Sequence, residues 1–283
     1  MSMLGRALIG ETSSHGEIDG DRFHVVVGDV FGAYRRNGQS FGLEDVTLGT
    51  PLEAVRFFNV MAGFVEPGKS RDPERLPMWL PKATAFPTGD HGEIQLPTAL
   101  TAPAQMEAEL AVVVGRTLRK ASPAEAREAI FGWTVFNDLT ATEFGFGQLT
   151  PLWGTAKSID GFTSWGPWIR RDLTEDRVMH GLEITGYVNH EKAQGGNSKW
   201  YAFSPSEMLS HLSQLIALRP GDVLALGTPY PAPDIKIGDQ VVCEVEEIGT
   251  LTNYLVGDTG AEASTWPCPR PAEASAPAEN LAE

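Results

Sequence analysis

Two periodicities of apolar and polar positions run along this chain. Residues 1–50 carry short alternating segments such as "FHVVVGDVFGAYR", punctuated by Gly and Asp. Alternation of that kind predicts half-buried strands, here a small β-rich N-terminal module. The run "MEAELAVVVG", residues 106–115, is different, because it is apolar at nearly every position after Glu109. Such a β-branched run reads as a strand buried on both faces. The helical period appears twice. "SPAEAREAIFG" opens with Ser122, Pro123 and Glu125, a capping box with proline at the first helical position, and Gly132 suits its exit. "SPSEMLSHLSQLIALRPGD" repeats the device with Ser204, Pro205 and Glu207, and Met208, Leu209, Leu212, Leu215 and Ile216 mark one face. Gly221–Asp222 and Gly238–Asp239 each read as a turn into a strand.

This pattern divides the chain into a module at 1–50, a strand-rich α+β body at 51–261, and a Pro/Ala/Glu-rich tail at 262–283 that is expected to be disordered. Composition narrows the function classes. The chain has 283 residues, a mass of 30.6 kDa and a formal charge of −15, with basic residues only in short pairs such as Arg35–Arg36. A nucleic-acid partner is therefore not expected. No apolar run is long enough to span a membrane, and no secretory leader is read at the N-terminus. Cys243 and Cys268 are the only cysteines, which points to a reducing, cytoplasmic setting and not to a cysteine metal cluster. There is no glycine-rich phosphate loop and no strand–helix alternation of a nucleotide fold.

The candidate chemistry lies in the carboxylates. Glu107 and Glu109 stand two apart, so on a strand they share a face with Cα atoms about 6.6 Å apart. Asp138 follows in "WTVFNDLTATEF", 29 residues after Glu109. That interval fits one helix and a return strand, which would bring the three carboxylates together. Unpaired, they would repel one another. A hard divalent cation, Mg²⁺ or Mn²⁺ with Ca²⁺ also accommodated, would relieve the conflict. The alternative is a solvated edge strand, with Asp138 capping a turn.

Five segments in order, "MEAELAVVVG", "GWTVFNDLTA", "GTAKSIDGFTSWGPWI", "YVNHEKAQGGNS" and "LRPGDVLALGTP", together with "MWLPKATAFPTGDHGEIQLP" upstream, resemble the fumarylacetoacetate hydrolase family. The resemblance implies a mixed β-sandwich roll with a small N-terminal module, and a homodimer. It implies that Glu107, Glu109 and Asp138 bind the divalent metal. It makes Lys157 a catalytic lysine near that metal, where a cation would hold the enolate or carboxylate of an oxo-acid; a surface lysine is the alternative. Thr228 and Gln194 correspond to substrate-contacting positions, or else to a turn residue and a hairpin residue.

The chain departs from the family pattern in two places. The lid segment "GRNYxxHxxE" corresponds to "RFFNVMAGFVE", residues 56–66, where Gly63 takes the histidine position and Asn59 and Glu66 are retained. Glu66 then stands as the lid's acid–base group, with Phe57, Phe58, Met61 and Phe64 as apolar surroundings. "NDxSAR" becomes "NDLTAT", with Thr142 in place of an arginine that would hold a substrate carboxylate. His91, His180, His190 and His211 lie in no motif. The expected activity is hydrolytic C–C cleavage of a β-dicarbonyl or acylpyruvate-type 2-oxo acid through a metal-held enolate. Decarboxylation or enol–keto tautomerisation comes second and hydration third. A catalytically silent binding protein is the rival from another class.

Overall fold

In the computed structural model, residues 2–53, 56–65, 69, 71–72, 74–84, 86–146 and 151–258 are described. Two hairpins open the chain: β1 (Met3–Ile9), β2 (Thr12–Asp19), β3 (Arg22–Gly28) and β4 (Tyr34–Gly42), followed by the short β5 (Thr47–Leu48). Next come β6 (Phe57–Met61), β7 (Met78–Lys82), β8 (Glu93–Leu96), β9 (Ala104–Gln105) and β10 (Ala108–Val114). Helix α1 (Pro123–Glu128) leads to β11 (Ile130–Asp138), β12 (Thr140–Ala141), and the short α2 (Thr142–Gly145) and α3 (Trp153–Lys157). After β13 (Thr163–Arg170) and α4 (Glu175–His180) come β14 (Glu183–Val188), β15 (Glu191–Asn197) and α5 (Pro205–Leu215). The chain closes with β16 (Val223–Ala225), β17 (Asp234–Ile235), β18 (Gln240–Val245) and β19 (Gly249–Gly257). This is the expected strand-rich α+β architecture.

The largest sheet runs β4-β3-β2-β1-β13-β11-β10-β16-β6-β7, with β5 paired to β1. The N-terminal hairpins therefore continue the main sheet through the antiparallel β1–β13 pairing, where Leu4 faces Ile169. They keep a small core of their own around Ala7, Ile18, Phe23 and Val25. A second sheet, β15-β14-β18-β19-β8, covers one face of the first, and β12-β9-β17 forms a third.

Strand β10 shows why its sequence is apolar throughout. Leu110, Val112 and Val114 point into the core shared with the second sheet and with Leu209 and Leu212 of α5. Ala111 and Val113 point the other way, into the hollow of the rolled main sheet with Phe57, Phe136 and Trp165. All seven β10 residues are buried, so a polar side chain on either face needs a partner.

Both capping boxes form. The Ser122 and Ser204 side chains accept from the Glu125 and Glu207 amides, and each glutamate returns a bond to the cap. Helix α1 is shorter than its pattern suggests. It ends at Glu128, and Gly132 lies inside β11, where an added Cβ would sit 2.6 Å from the Arg170 carbonyl oxygen. Gly132 thus serves close strand packing and not a helix exit. Positive φ at Gly221 and Gly238 makes the turns into β16 and β18. The tail at 262–283 lies outside the described residues.

Gly16 on β2 lies under the Phe23 ring, and an added Cβ would stand 2.3 Å from Phe23 Cζ. Gly16→Ala is expected to cost about 1–3 kcal/mol by overpacking. Urea denaturation measures it, and divalent-ion affinity should not change.

Candidate metal centre

Strands β10 and β11 pair antiparallel, with Ala108 opposite Asn137 and Glu109 opposite Phe136. The ladder extends one step further, because the Asp138 amide donates to the Glu107 carbonyl at 3.0 Å. Glu107, Glu109 and Asp138 therefore project from neighbouring positions on the same face, the one lined by Ala111, Val113 and Phe136. Their carboxylates converge, with one oxygen from each lying within 4.8 Å of the others. Glu109 and Asp138 are each only 1% exposed, and Glu107 is the more open of the three. The solvated-edge alternative does not describe this placement.

Two lysines stand against the carboxylates. Lys157, at the end of α3, donates to Asp138 Oδ2 at 2.6 Å and to Thr140 Oγ1 at 2.8 Å, and lies 3.0 Å from Glu107 Oε1. All three ammonium protons are thus directed at this cluster. Lys82, at the end of β7, donates to Asp138 Oδ1 at 2.5 Å and to the Phe162 carbonyl at 2.6 Å. Thr140 also donates to Glu107 Oε1 at 2.6 Å. Lys157 is 3% exposed and Lys82 4%; a surface lysine describes neither.

The charges sort unevenly among these groups. Burial pushes Asp138 upward, but Lys157 and Lys82 outweigh it and hold the carboxyl below its ordinary value. Glu109 has no lysine in contact. Burial, then the charges of Asp138 and Glu107, hold its carboxyl well above the usual carboxylate range. The charge of Lys157, and after it the Gly227 amide at 2.8 Å, oppose this and are outweighed. Burial also raises Glu107, against the pull of Lys157. Lys157 is held above the usual lysine range because Asp138, Glu107 and Glu109 outweigh its desolvation. For Lys82, burial outweighs Asp138 and the net shift is downward. Three carboxylates against two ammoniums leave one excess negative charge in a dry site. That donor set fits a hard divalent cation, with Glu107, Glu109 and Asp138 as the residues that would hold it.

Gln194 and Thr228 converge behind this centre. Gln194 Oε1 accepts from the Ala108 amide at 2.9 Å, while its Nε2 donates to Thr228 Oγ1 at 3.0 Å and to the Pro229 carbonyl at 2.5 Å. Thr228 Oγ1 donates to the Ala108 carbonyl at 3.1 Å. Both side chains thus clamp Ala108, the one residue between Glu107 and Glu109, Gln194 at its amide and Thr228 at its carbonyl. Thr142 opens α2 and donates to the Pro103 carbonyl at 2.5 Å.

The segment at 56–66 is not a free lid over its first part. Residues Phe57–Met61 form the inner strand β6, parallel to β16 and with Phe57 and Phe58 in the two cores. Gly63 follows in a tight packing contact, and an added Cβ would lie 2.2 Å from the Leu226 carbonyl oxygen. The segment is tied down beyond that point, since the Ala202 amide donates to Gly63 O and the Val65 amide to Trp200 O, each at 2.7 Å. Phe64 packs on Tyr201 with ring centroids 4.7 Å apart. Glu66 lies outside the described residues.

Lys82 was not distinguished from its surroundings in the sequence. The signal available was a charged residue ending the apolar strand segment "MWLPK". Thr140 carried no signal beyond its place two residues after Asp138.

Residues 56–256 match the family model described as fumarylacetoacetate (FAA) hydrolase C-terminal. The chain belongs to the fumarylacetoacetate hydrolase family. A 4-hydroxyphenylacetate degradation bifunctional isomerase/decarboxylase of Salmonella dublin is 40% identical over 156 residues, covering 55% of this chain and 36% of that protein. This chain thus spans little more than a third of that relative. A mitochondrial oxaloacetate tautomerase of Bos taurus is 34% identical over 159 residues, 53% of this chain and 50% of that one. The crystal structure of a 5-carboxymethyl-2-hydroxymuconate delta-isomerase from Mycobacterium smegmatis superposes with a TM-score of 0.81 at 31% identity, covering 90% of this chain and 100% of that chain. The relatives thus include an isomerase/decarboxylase, an oxaloacetate tautomerase and a delta-isomerase, the last with the fold seen here.

The raised Glu109 gives a signed pH dependence. In the metal-free protein, stability falls as pH rises above the ordinary glutamate value, because the folded site resists losing the proton that the unfolded chain gives up. Glu109→Gln removes that cost and keeps an acceptor for Gly227. E109Q is expected to melt several degrees above wild type at pH 8, the gap closing as pH is lowered toward 5. Calorimetric scans in the presence of a chelator across that range measure it; a gap that widens toward pH 5 contradicts the assignment.

Proposed function

We propose that this chain is a divalent-metal-dependent enzyme that interconverts the enol and keto forms of a 2-oxo acid, with decarboxylation through the same enolate as its companion reaction. The observation that carries the choice is the packing at Gly63. Hydrolysis through the lid needs a base to activate water at that position. A residue with any Cβ there would collide with the Leu226 carbonyl, and glycine itself has no group to titrate. Proton transfer at the carbon next to a carbonyl needs no activated water.

Charge supports the substrate class. A divalent ion would turn the excess negative charge of the carboxylate–lysine cluster into one excess positive charge, which suits an anionic oxo-acid. When bound, the ion supplies Lewis-acid stabilisation of the substrate's adjacent oxygens. Lys157 and Lys82 hold Asp138 between them and keep fixed positive charge beside the position where the enolate would form. Gln194 and Thr228, assigned to substrate in the sequence reading, act by fixing the Ala108 peptide and with it the aim of Glu107 and Glu109. Glu66 is proposed as the group that carries the substrate proton, and a homodimer as the working assembly.

The test follows the ultraviolet absorbance of enol oxaloacetate with Mn²⁺ or Mg²⁺ present, beside an acylpyruvate hydrolysis assay. Wild type should consume enol, and Asp138→Ala should abolish the activity. Lys157→Met should lower it by at least about tenfold, at the low end of what one electrostatic group contributes. Gly63→His should give no gain in hydrolysis and should lower the melting temperature. A tenfold gain in acylpyruvate hydrolysis by G63H, or fast hydrolysis by wild type, restores the hydrolase reading.

A further inference from the structure

Asn59 is the one fully buried amide on the inner strand β6, at 1% exposure, and neither its Nδ2 nor its Oδ1 has a hydrogen-bond partner among the described residues. A buried amide left empty on both ends is costly, and in native proteins an ordered water or ion commonly accounts for it. Its placement indicates what that is. Asn59 pairs in register with Ala225 on β16, and Ala225 pairs with Ala111 on β10. Asn59 lies two residues from Phe57, so the two share a face, the face that carries Ala111, Ala225 and Phe136. That is also the face of Glu109 and Asp138.

Two strand spacings put the Asn59 and Ala111 Cα atoms about 10 Å apart. Ala225 stands between them in register, with Gly227 two residues further along the chain. The Glu109 carboxylate leans across that gap, since its Oε2 accepts from the Gly227 amide at 2.8 Å. On the other side, Phe57 touches the Trp165 ring with centroids 5.6 Å apart, and Lys82, the register partner of Phe57, reaches Asp138. Asn59 thus stands on the face of the curled sheet that carries Glu109 and the Lys82–Asp138 pair. Thr163, in register with Asp138 and also buried, leaves its Oγ1 unpartnered on the same face.

We propose that Asn59 is a positioning residue of the carboxylate centre, its amide holding a water in the hydration shell of the divalent ion bound by Glu107, Glu109 and Asp138. Mg²⁺ and Mn²⁺ keep several waters when bound by few carboxylates, and groups that hold such outer positions change metal affinity by roughly 10–100-fold. The amide offers two N–H donors and a carbonyl acceptor, so it can hold a water that also faces Glu109. This inference rests on the divalent-ion reading of the site.

The experiment titrates Mn²⁺ by electron paramagnetic resonance and calorimetry into wild type, Asn59→Leu and Asn59→Asp, with melting of the metal-free proteins alongside. N59L keeps the volume and removes the polar ends. It should weaken Mn²⁺ binding by about tenfold, the low end of the outer-position range, while the metal-free melting temperature holds or rises. N59D should tighten Mn²⁺ binding, because it adds a charge facing the ion. Unchanged Mn²⁺ affinity in either variant overturns the proposal. If N59L does not fold, N59D alone decides. Wild type that binds no Mn²⁺ overturns the divalent-ion reading as well, whereas wild-type binding with N59L and N59D unaltered overturns only the role of Asn59.

Discussion

Everything at the centre of this molecule depends on how a buried excess of negative charge is held. Asp138 is almost wholly desolvated, and it stays ionised because two ammoniums, from α3 and β7, each take one of its oxygens. A carboxylate moved into a dry interior without such partners would take up a proton instead. Glu109 lies at the same depth with only a backbone amide hydrogen-bonded to it among the described residues, and burial drives its carboxyl upward. The site is thus asymmetric, with the Asp138 carboxyl held below its ordinary value and the Glu109 carboxyl held above it.

The fold supplies this arrangement through backbone contacts more than through side-chain packing. The register of β10 on β11 places the three acids, and the Ala108 peptide between two of them is pinned from behind by Gln194 and Thr228. Gly227, at φ +98°, turns its amide toward Glu109, and an added Cβ on Gly227 would lie 3.0 Å from the Gly63 Cα. A chain of backbone contacts therefore joins the segment after β6 to the carboxylate centre. A side chain at position 63 would displace the Leu226 carbonyl, next to the Gly227 amide that Glu109 accepts from, and a histidine there would disturb the site it was meant to serve.

Much of this was legible in the pattern of residues, and the exceptions have physical causes. The capping boxes of α1 and α5 were readable because they are local, with each bond spanning three residues. Strand period and spacing left the convergence of Glu107, Glu109 and Asp138 open beside a solvated edge, and the resemblance to the family selected it. Lys82 was not readable, since it reaches Asp138 from 56 residues away across the closed roll, and no local pattern encodes that closure. The segment at 56–66 was read as a lid from motif order alone. Its first half is instead a buried strand, because Phe57 and Phe58 face opposite cores. Gly132 looked like a helix stop by its place after α1, but its use is set by β13, which arrives some forty residues later.

The account stands or falls on whether this centre makes an enolate without activating water. Proton NMR of oxaloacetate in D₂O, with Mg²⁺ and catalytic protein, measures exchange of the C3 protons directly. Exchange that depends on the ion, is lost in Asp138→Ala, and outruns any C–C cleavage of an acylpyruvate is the predicted result. Cleavage of an acylpyruvate faster than C3 exchange, or exchange unchanged in Asp138→Ala, would contradict it.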